Sequence, residues 1–220
     1  MSSRYERKFC FNVSQLNLVE ACLRSFDILE AYPQRSVFSI YYESQNFISF
    51  HDSNAGIGDR LKRRIRWYND KIDNLIFEKK IKNNELGYKI NNFNQIPKSN
   101  NIETKVYYHG KYKYKIPIPK VWDICYVPVV AVLYDRKYFN IFEKDVRFTI
   151  DKNISYSRVV NYSKYSTVNY LLSQNSCVLE VKYDSKLETL PNNIMKKISL
   201  LTGARYSRHS KFCNAIEERW

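Results

Sequence analysis

The chain has 220 residues, 44% of them hydrophobic and 15% aromatic, enough for a sizeable core, which excludes a disordered basic tail. Thirty-six lysines and arginines stand against 22 aspartates and glutamates, a formal charge of +14, so the natural partners are polyanions: nucleic acid, polyphosphate, nucleotides or an anionic membrane face. Five widely spaced cysteines without a CxxC pair fit neither a disulfide framework nor a zinc site.

A strand over Arg4–Cys10 opens the predicted order. The charged start, Met1-Ser-Ser-Arg-Tyr-Glu-Arg-Lys, leads into no apolar signal region, and no stretch approaches the roughly 18 apolar residues of a membrane span. A cytoplasmic protein is expected, brought to a membrane only by a partner. A helix follows from about Ser14 to Glu30, with Val19, Cys22, Leu23 and Phe26 at helical spacing behind Ser14 as N-cap, and Pro33 closing the region. Strands are then predicted over Val37–Glu43, Phe47–His51, Arg60–Tyr68, Asn74–Lys82, Lys105–Tyr108, Pro128–Tyr138, Asp145–Asp151 and Cys177–Tyr183. Lys89–Asn101, rich in Asn, Lys and Ser, reads as a loop, and Lys111–Lys120 as an extended connector. A second helix begins near Pro191, carries Ile194, Ile198 and Leu201 on one face and stops at Gly203. No stretch has the composition of an interdomain linker, so residues 1–220 read as one domain. No GxGxxG or GxxxxGK motif is present, so any phosphate must be held by side chains.

Side chains two apart on a strand share a face. In Arg60–Tyr68, Arg60, Lys62, Arg64 and Arg66 fall on one face and Leu61, Ile65 and Trp67 on the other, with Arg63 the exception. The phase recurs with Glu78, Lys80 and Lys82 against Phe77 and Ile81, Lys79 excepted, and with Glu6 and Lys8 against Tyr5 and Phe9. It recurs again in Tyr134 and Arg136, in Arg147, Thr149 and Asp151 against Phe148 and Ile150, and in Glu180 and Lys182 against Leu179 and Val181. One reading is the solvated side of a half-buried antiparallel sheet. Against it, Arg and Lys dominate these faces, and like charges on neighbouring strands cost about 0.2–1 kcal/mol per pair unless an anion compensates them. The same face turned inward in a closed barrel would be a basic tunnel carrying a few carboxylates, suited to a polyphosphate chain and a divalent cation.

Arg4-Tyr-Glu-Arg-Lys-Phe9, Ser39-Ile-Tyr-Tyr42, Arg60-Leu-Lys-Arg-Arg-Ile-Arg-Trp-Tyr68, Phe77-Glu-Lys-Lys-Ile-Lys82, Tyr134-Asp-Arg136, Arg147-Phe-Thr-Ile-Asp151, Val178-Leu-Glu-Val-Lys182 and Ser210-Lys-Phe212 follow one another in an order that resembles the VTC domain. That domain is the polyphosphate polymerase of the vacuolar transporter chaperone complex, in the triphosphate tunnel metalloenzyme (CYTH-like) superfamily. The resemblance implies an α+β fold, mainly antiparallel β, with a closed tunnel of about eight strands and a few packing helices. It also implies that Lys8, Arg64, Arg66, Lys80, Arg136, Arg147, Lys182 and Lys211 grip the phosphates, with Tyr134 and Ser210 as hydrogen-bonding neighbours. Arg60, Lys62, Lys82 and Lys89 would extend the basic wall. Ser207-Arg208 is a rival for the position given to Ser210-Lys211, which is preferred for the aromatic that follows it. His209 is expected to be an exposed loop histidine. Glu180 matches the family's metal-binding glutamate, for Mn2+ or Mg2+, while Glu6 and Glu78 are either its helpers or structural ion-pair partners of Lys8 and Lys80.

The implied function is ATP:polyphosphate phosphotransferase activity, with ATP and polyphosphate as partners and no nucleic acid. A triphosphate or polyphosphate hydrolase of the same fold and a noncatalytic polyphosphate-binding module are the alternatives. Eukaryotic relatives carry membrane spans and a phosphate-sensing domain that this sequence lacks, so translocation of product is not expected of it. Removing Arg64 or Arg66 is expected to relieve repulsion and stabilise the unliganded protein.

Overall fold

Residues 4–69, 71–83, 86–92, 101–120, 126–141, 146–162, 164–170, 175–187 and 189–219 are described by the structure, a computed structural model. The chain divides into two compact units. The first comprises residues 1–36, 134–154 and 174–209, the second residues 37–133, 155–173 and 210–220.

In the first unit, β1 (Arg4–Asn12) pairs antiparallel with β11 (Ser176–Asp184), and β11 pairs antiparallel with the start of β9 (Val146–Asn161). Alternate residues of these strands, among them Phe9, Phe148, Ile150, Leu179 and Val181, are buried in one core with Val19 and Leu23 of α1 (Leu16–Arg24) and Ile194 and Ile198 of α3 (Thr189–Thr202). Burying one apolar stripe from each helix on the sheet is what holds such short helices. The expected Ser14 cap is not formed: α1 follows Gln15, which makes no side-chain cap bond, and the capping box belongs to Asn12 at the head of the 3-10 turn Val13–Gln15 that leads into the helix. Asn12 accepts from the Ser14 N–H at 2.9 Å, and the Gln15 side chain accepts from the Asn12 N–H at 3.1 Å. The helix ends at Arg24 rather than Glu30, because Asp27 turns the chain at φ 57° and β2 (Leu29–Glu43) starts two residues later. After α3, Gly203 at φ 68° lets the chain leave the helix, and an extended segment runs beside β1. Phe9 and Tyr206 form a bridge there, the Ser207 N–H donates to the Lys8 carbonyl at 2.8 Å, and Arg7 lies over the rings of Tyr5 and Tyr206.

In the second unit, the Val37–Tyr42 part of β2 pairs antiparallel with β3 (Arg60–Tyr68), β3 with β4 (Ile76–Asn83), and β4 with β5 (Leu86–Asn92). β6 (Asn101–Tyr108) and β7 (Lys111–Pro119) form a hairpin. β10 (Tyr165–Tyr170) pairs parallel with β6 and antiparallel with the end of β9. Phe38, Ile40, Ile65, Trp67, Phe77, Val106, Val159 and Val168 build a separate core. Two helices, α2 (Ile48–Ala55) and α4 (Lys211–Arg219), belong to this unit.

With β8 (Val127–Ile141) between β2 and β9, the hydrogen-bonded order is β5-β4-β3-β2-β8-β9-β10-β6-β7, with β11 and β1 joined through β9. The fold is α+β with mainly antiparallel strands, as expected. Among the described residues there are eleven strands rather than about eight, and no pairing joins β5 to β7 to complete a closed ring.

The expected strand Phe47–His51 is instead the entry to α2. Phe47 adopts φ 51°, the Ser44 hydroxyl accepts from the Ile48 N–H at 3.2 Å, and Gly56 at φ 72° ends the helix. Lys111–Lys120, read as a connector, is β7 for nearly its whole length, and β5 occupies the start of the expected loop Lys89–Asn101. Residues 93–100, Cys125 and Asp145 lie outside the described residues.

Candidate functional site

Each unit holds a charged cluster on the strand face turned away from its apolar core. In the first unit the register sets Lys8 opposite Glu180 and Glu6 opposite Lys182, so two carboxylates and two ammoniums alternate across β1 and β11. Lys8 Nζ is 3.1 Å from Glu6 Oε1 and 4.0 Å from Glu180 Oε2, and Lys182 Nζ is 2.5 Å from Glu180 Oε1 and 3.7 Å from Glu6 Oε2. Lys8 also donates to the His209 carbonyl at 3.1 Å. Burial would lower the Lys8 ammonium, but Glu6 and Glu180 outweigh it and raise it above the ordinary lysine value. Glu180, with help from Glu6 and against burial, raises Lys182 too.

Beside this quartet, Arg136 on β8 presents a two-pronged fork to Asp151 on β9, Nε to Oδ1 at 2.6 Å and Nη2 to Oδ2 at 2.8 Å. Asp151 is fully buried. Burial opposes the Arg136 charge, yet Asp151 and then Tyr134 hold it well above the ordinary value. The guanidinium lies 5.2 Å from the centre of the Tyr134 ring, which is itself buried. Arg147 is exposed and stands opposite Lys182 in the ladder. Lys8, Lys182, Arg136, Arg147, Tyr134, Glu6 and Glu180 are therefore grouped on four strands of one unit.

Glu6 and Glu180 were the metal candidates here. Among the described residues no group of three or more His, Cys, Asp and Glu is arranged to hold a metal. A pair of oxygen ligands fits Mg2+ or Mn2+ in one circumstance, where phosphate oxygens and water complete the shell. The quartet has that donor chemistry, with two lysines already placed to meet phosphate.

In the second unit Arg64 and Arg66 of β3 are 8% and 4% exposed, and Glu78 of β4 is 4% exposed, so this charged face is buried rather than solvated. Arg64 Nε donates to Glu78 Oε2 in a very short bond, Arg66 Nη1 is 3.9 Å from the same oxygen, and Lys89 Nζ is 3.9 Å from Oε1. Burial would push the Glu78 carboxyl up, but these three cations, Arg64 foremost, hold it at about 2. That donor set leaves Glu78 an ion-pair carboxylate and does not fit a metal ligand. Two hydroxyls on β2 complete the surroundings. The Tyr41 oxygen accepts from Arg64 Nη1 at 3.0 Å, and the Ser39 oxygen accepts from Arg66 Nε at 3.1 Å.

Lys62, next along the charged face of β3, donates to Ser210 Oγ at 3.0 Å and lies 4.9 Å from the centre of the Phe212 ring. Ser210 Oγ accepts from the Cys213 N–H at 3.3 Å, capping α4, whose first residue is Lys211. Ser210 is thus the serine gathered with the β3 cations in this unit, while Ser207 lies beside β1 in the other. His209 is half-buried, with Nε2 buried, rather than an exposed loop residue. Further along, Lys62 faces Lys80 and Arg60 faces Lys82 across the β3–β4 ladder, an arrangement of like charges that a bound anion would relieve.

Asp151 was expected on the charged face without a named partner, and Tyr41 and Ser39 were not among the expected site residues. The alternation on β2 pointed to the latter two, since Ser39 and Tyr41 interleave with the core residues Phe38, Ile40 and Tyr42.

Residues 3–218 match the family described as VTC domain. Nothing among the curated proteins matches the sequence. Among solved structures, a candidate adenylyl cyclase from Hippeastrum, described as having a dominant triphosphatase activity, superimposes with a TM-score of 0.52 at 10% identity, over 99% of this chain and 97% of that one. The PH1012 protein of Pyrococcus horikoshii gives a TM-score of 0.50 at 10% identity, over 94% and 96%. At such identity the likeness is one of fold, and the family rests on the match along residues 3–218. The chain belongs to the VTC domain family and shares its fold with the Hippeastrum protein and PH1012.

Proposed function

We propose that residues 1–220 act as one polymerase domain that transfers the γ-phosphate of ATP to a growing polyphosphate chain. The observation that carries this reading is the buried pair Arg64 and Arg66, two guanidiniums gathered on one strand face around the carboxylate of Glu78. Phosphoryl transfer through a loose transition state asks a protein mainly to position groups and neutralise the equatorial oxygens. Arg64, Arg66 and Arg136 offer planar forks already fixed by Glu78, Ser39 and Asp151, so little side-chain freedom is lost when phosphate binds. In the first unit Lys8 and Lys182 add point charges and Arg147 a further guanidinium, and in the second Lys62, Lys80 and Lys211 add point charges beside Arg60, Lys82 and Lys89.

In the reaction a terminal oxygen of the chain attacks the γ-phosphorus of ATP, the bond to the β,γ-bridging oxygen breaks, and ADP leaves with that electron pair. No covalent enzyme intermediate is required. Glu180, with Glu6, would hold a divalent ion, Mn2+ or Mg2+, which when bound neutralises phosphate charge. No described helix is long and apolar enough to cross a membrane. In this reading the protein acts in the cytoplasm, a partner supplies any anchoring to a membrane, and nucleic acid is not its ligand.

Incubating the purified protein with ATP and Mn2+ tests the proposal. A ladder of polyphosphate on a gel is expected. Phosphate released without chains would replace polymerisation by hydrolysis, and tight polyphosphate binding without turnover would make the protein a binding module.

A further inference from the structure

The phenol of Tyr41 sits inside the arginine cluster, 6% exposed, with its ring against Phe212 at 5.1 Å between centres. Among the described residues, the charged groups around it include Arg64, Arg66 and Lys62 from β3, with Glu78 of β4 behind Arg64 and Lys89 of β5 on the far side of Glu78. From α4 come the Phe212 ring and the Cys213 thiol, which accepts a weak contact from Lys62 at 3.8 Å. Glu78 supplies one negative charge to two buried guanidiniums. Tyr41, whose oxygen accepts from Arg64, is a neighbouring group able to add negative charge by losing a proton. While it keeps that proton, the oxygen accepts from Arg64 and the O–H must donate elsewhere, since a phenol has one hydrogen to give.

Resting on the reading of this cluster as a phosphate site, we propose that Tyr41 is a further phosphate ligand whose protonation is coupled to binding. Without phosphate and at mildly alkaline pH, the hydroxyl releases its proton to solvent and the phenolate balances Arg64 and Arg66. When a phosphate chain brings its own negative charge, the oxygen regains a proton from solvent and donates it to a phosphoryl oxygen.

The electrostatics agree with the geometry. Burial would raise the Tyr41 hydroxyl, but Arg64 and Arg66 bring it down to about 8. Binding therefore takes up almost no proton at about pH 7 and close to one at about pH 9, and affinity falls by up to about tenfold per pH unit above 8.

The test uses the full chain and inorganic triphosphate, by calorimetry at about pH 7 and about pH 9 in buffers of different ionisation enthalpy. Wild type and Tyr41→Phe are compared, the latter subtracting protons exchanged by triphosphate itself. The tyrosinate absorbance of the wild type, read with and without triphosphate, counts the same proton without a variant. Extra uptake at the higher pH, missing in Tyr41→Phe and matched by lost tyrosinate absorbance, is expected. Triphosphate binding with no change in tyrosinate absorbance, or with equal uptake in Tyr41→Phe, overturns the role of Tyr41 alone. If triphosphate binds at neither pH, the phosphate reading of the cluster fails, and this inference with it.

Discussion

Arg136 and Asp151 hold each other through two parallel hydrogen bonds, at 2.6 and 2.8 Å, with the carboxylate fully buried. Removing one partner of such a pair leaves the other charge without compensation, a loss of about 3–5 kcal/mol. Asp151→Ala should therefore destabilise the protein by that order in urea unfolding. Arg136→Met should cost as much if Asp151 stays ionised, and less if it takes up a proton.

Glu78 gives the protein an acid limit. Its carboxyl is held at about 2 in the folded chain against an ordinary 4.5, so its contribution is complete above about pH 4.5 and lost as pH falls through 2. The shift corresponds to about 3 kcal/mol. Unfolding midpoints followed down this pH range should fall for the wild type, and Glu78→Gln should lack that component.

Arg64→Ala and Arg66→Ala should weaken inorganic triphosphate binding, each by roughly 10- to 100-fold, the worth of a charge-assisted hydrogen bond. The same substitutions should destabilise the unliganded protein, by about 1–3 kcal/mol, because each withdraws a partner from buried Glu78. This reverses the expectation from charge alone. Repulsion between Arg64 and Arg66 was visible in the sequence, whereas the carboxylate set between them was not.

Glu180→Ala should abolish metal-dependent turnover of ATP while leaving triphosphate binding measurable. Parallel assays of product formation and calorimetry decide it, and unchanged turnover would remove Glu180 from the metal assignment.

How far the fold could be read in advance depended on whether an element buries one face. β3 runs over the expected Arg60–Tyr68, since Ile65 and Trp67 are buried in phase. β7 was hidden by its Lys-Tyr alternation, with Ile116 and Ile118 buried only near its end. α2 has no apolar stripe, Ser49 being its buried residue, and a left-handed Phe47 starts it, a local feature without a periodic signal. α4 does bury Phe212, Cys213 and Ile216 at helical spacing, but nine residues are too few to stand out. In the clusters, alternation identified which side of each strand carries charge. It could not tell that Arg64 and Arg66 are buried, nor that Glu78 is held by three cations, because both depend on what packs over the face.

The segment around Tyr206 has a consequence for association between copies of the chain. β1 pairs with β11 on one side, and on the other Tyr206 and Ser207 engage Phe9 and the Lys8 carbonyl. A strand margin left bare offers a row of backbone donors and acceptors to any extended peptide. The residues after Gly203 thus act as a guard rail, and a chain truncated at Gly203 would present β1 as a sticky edge.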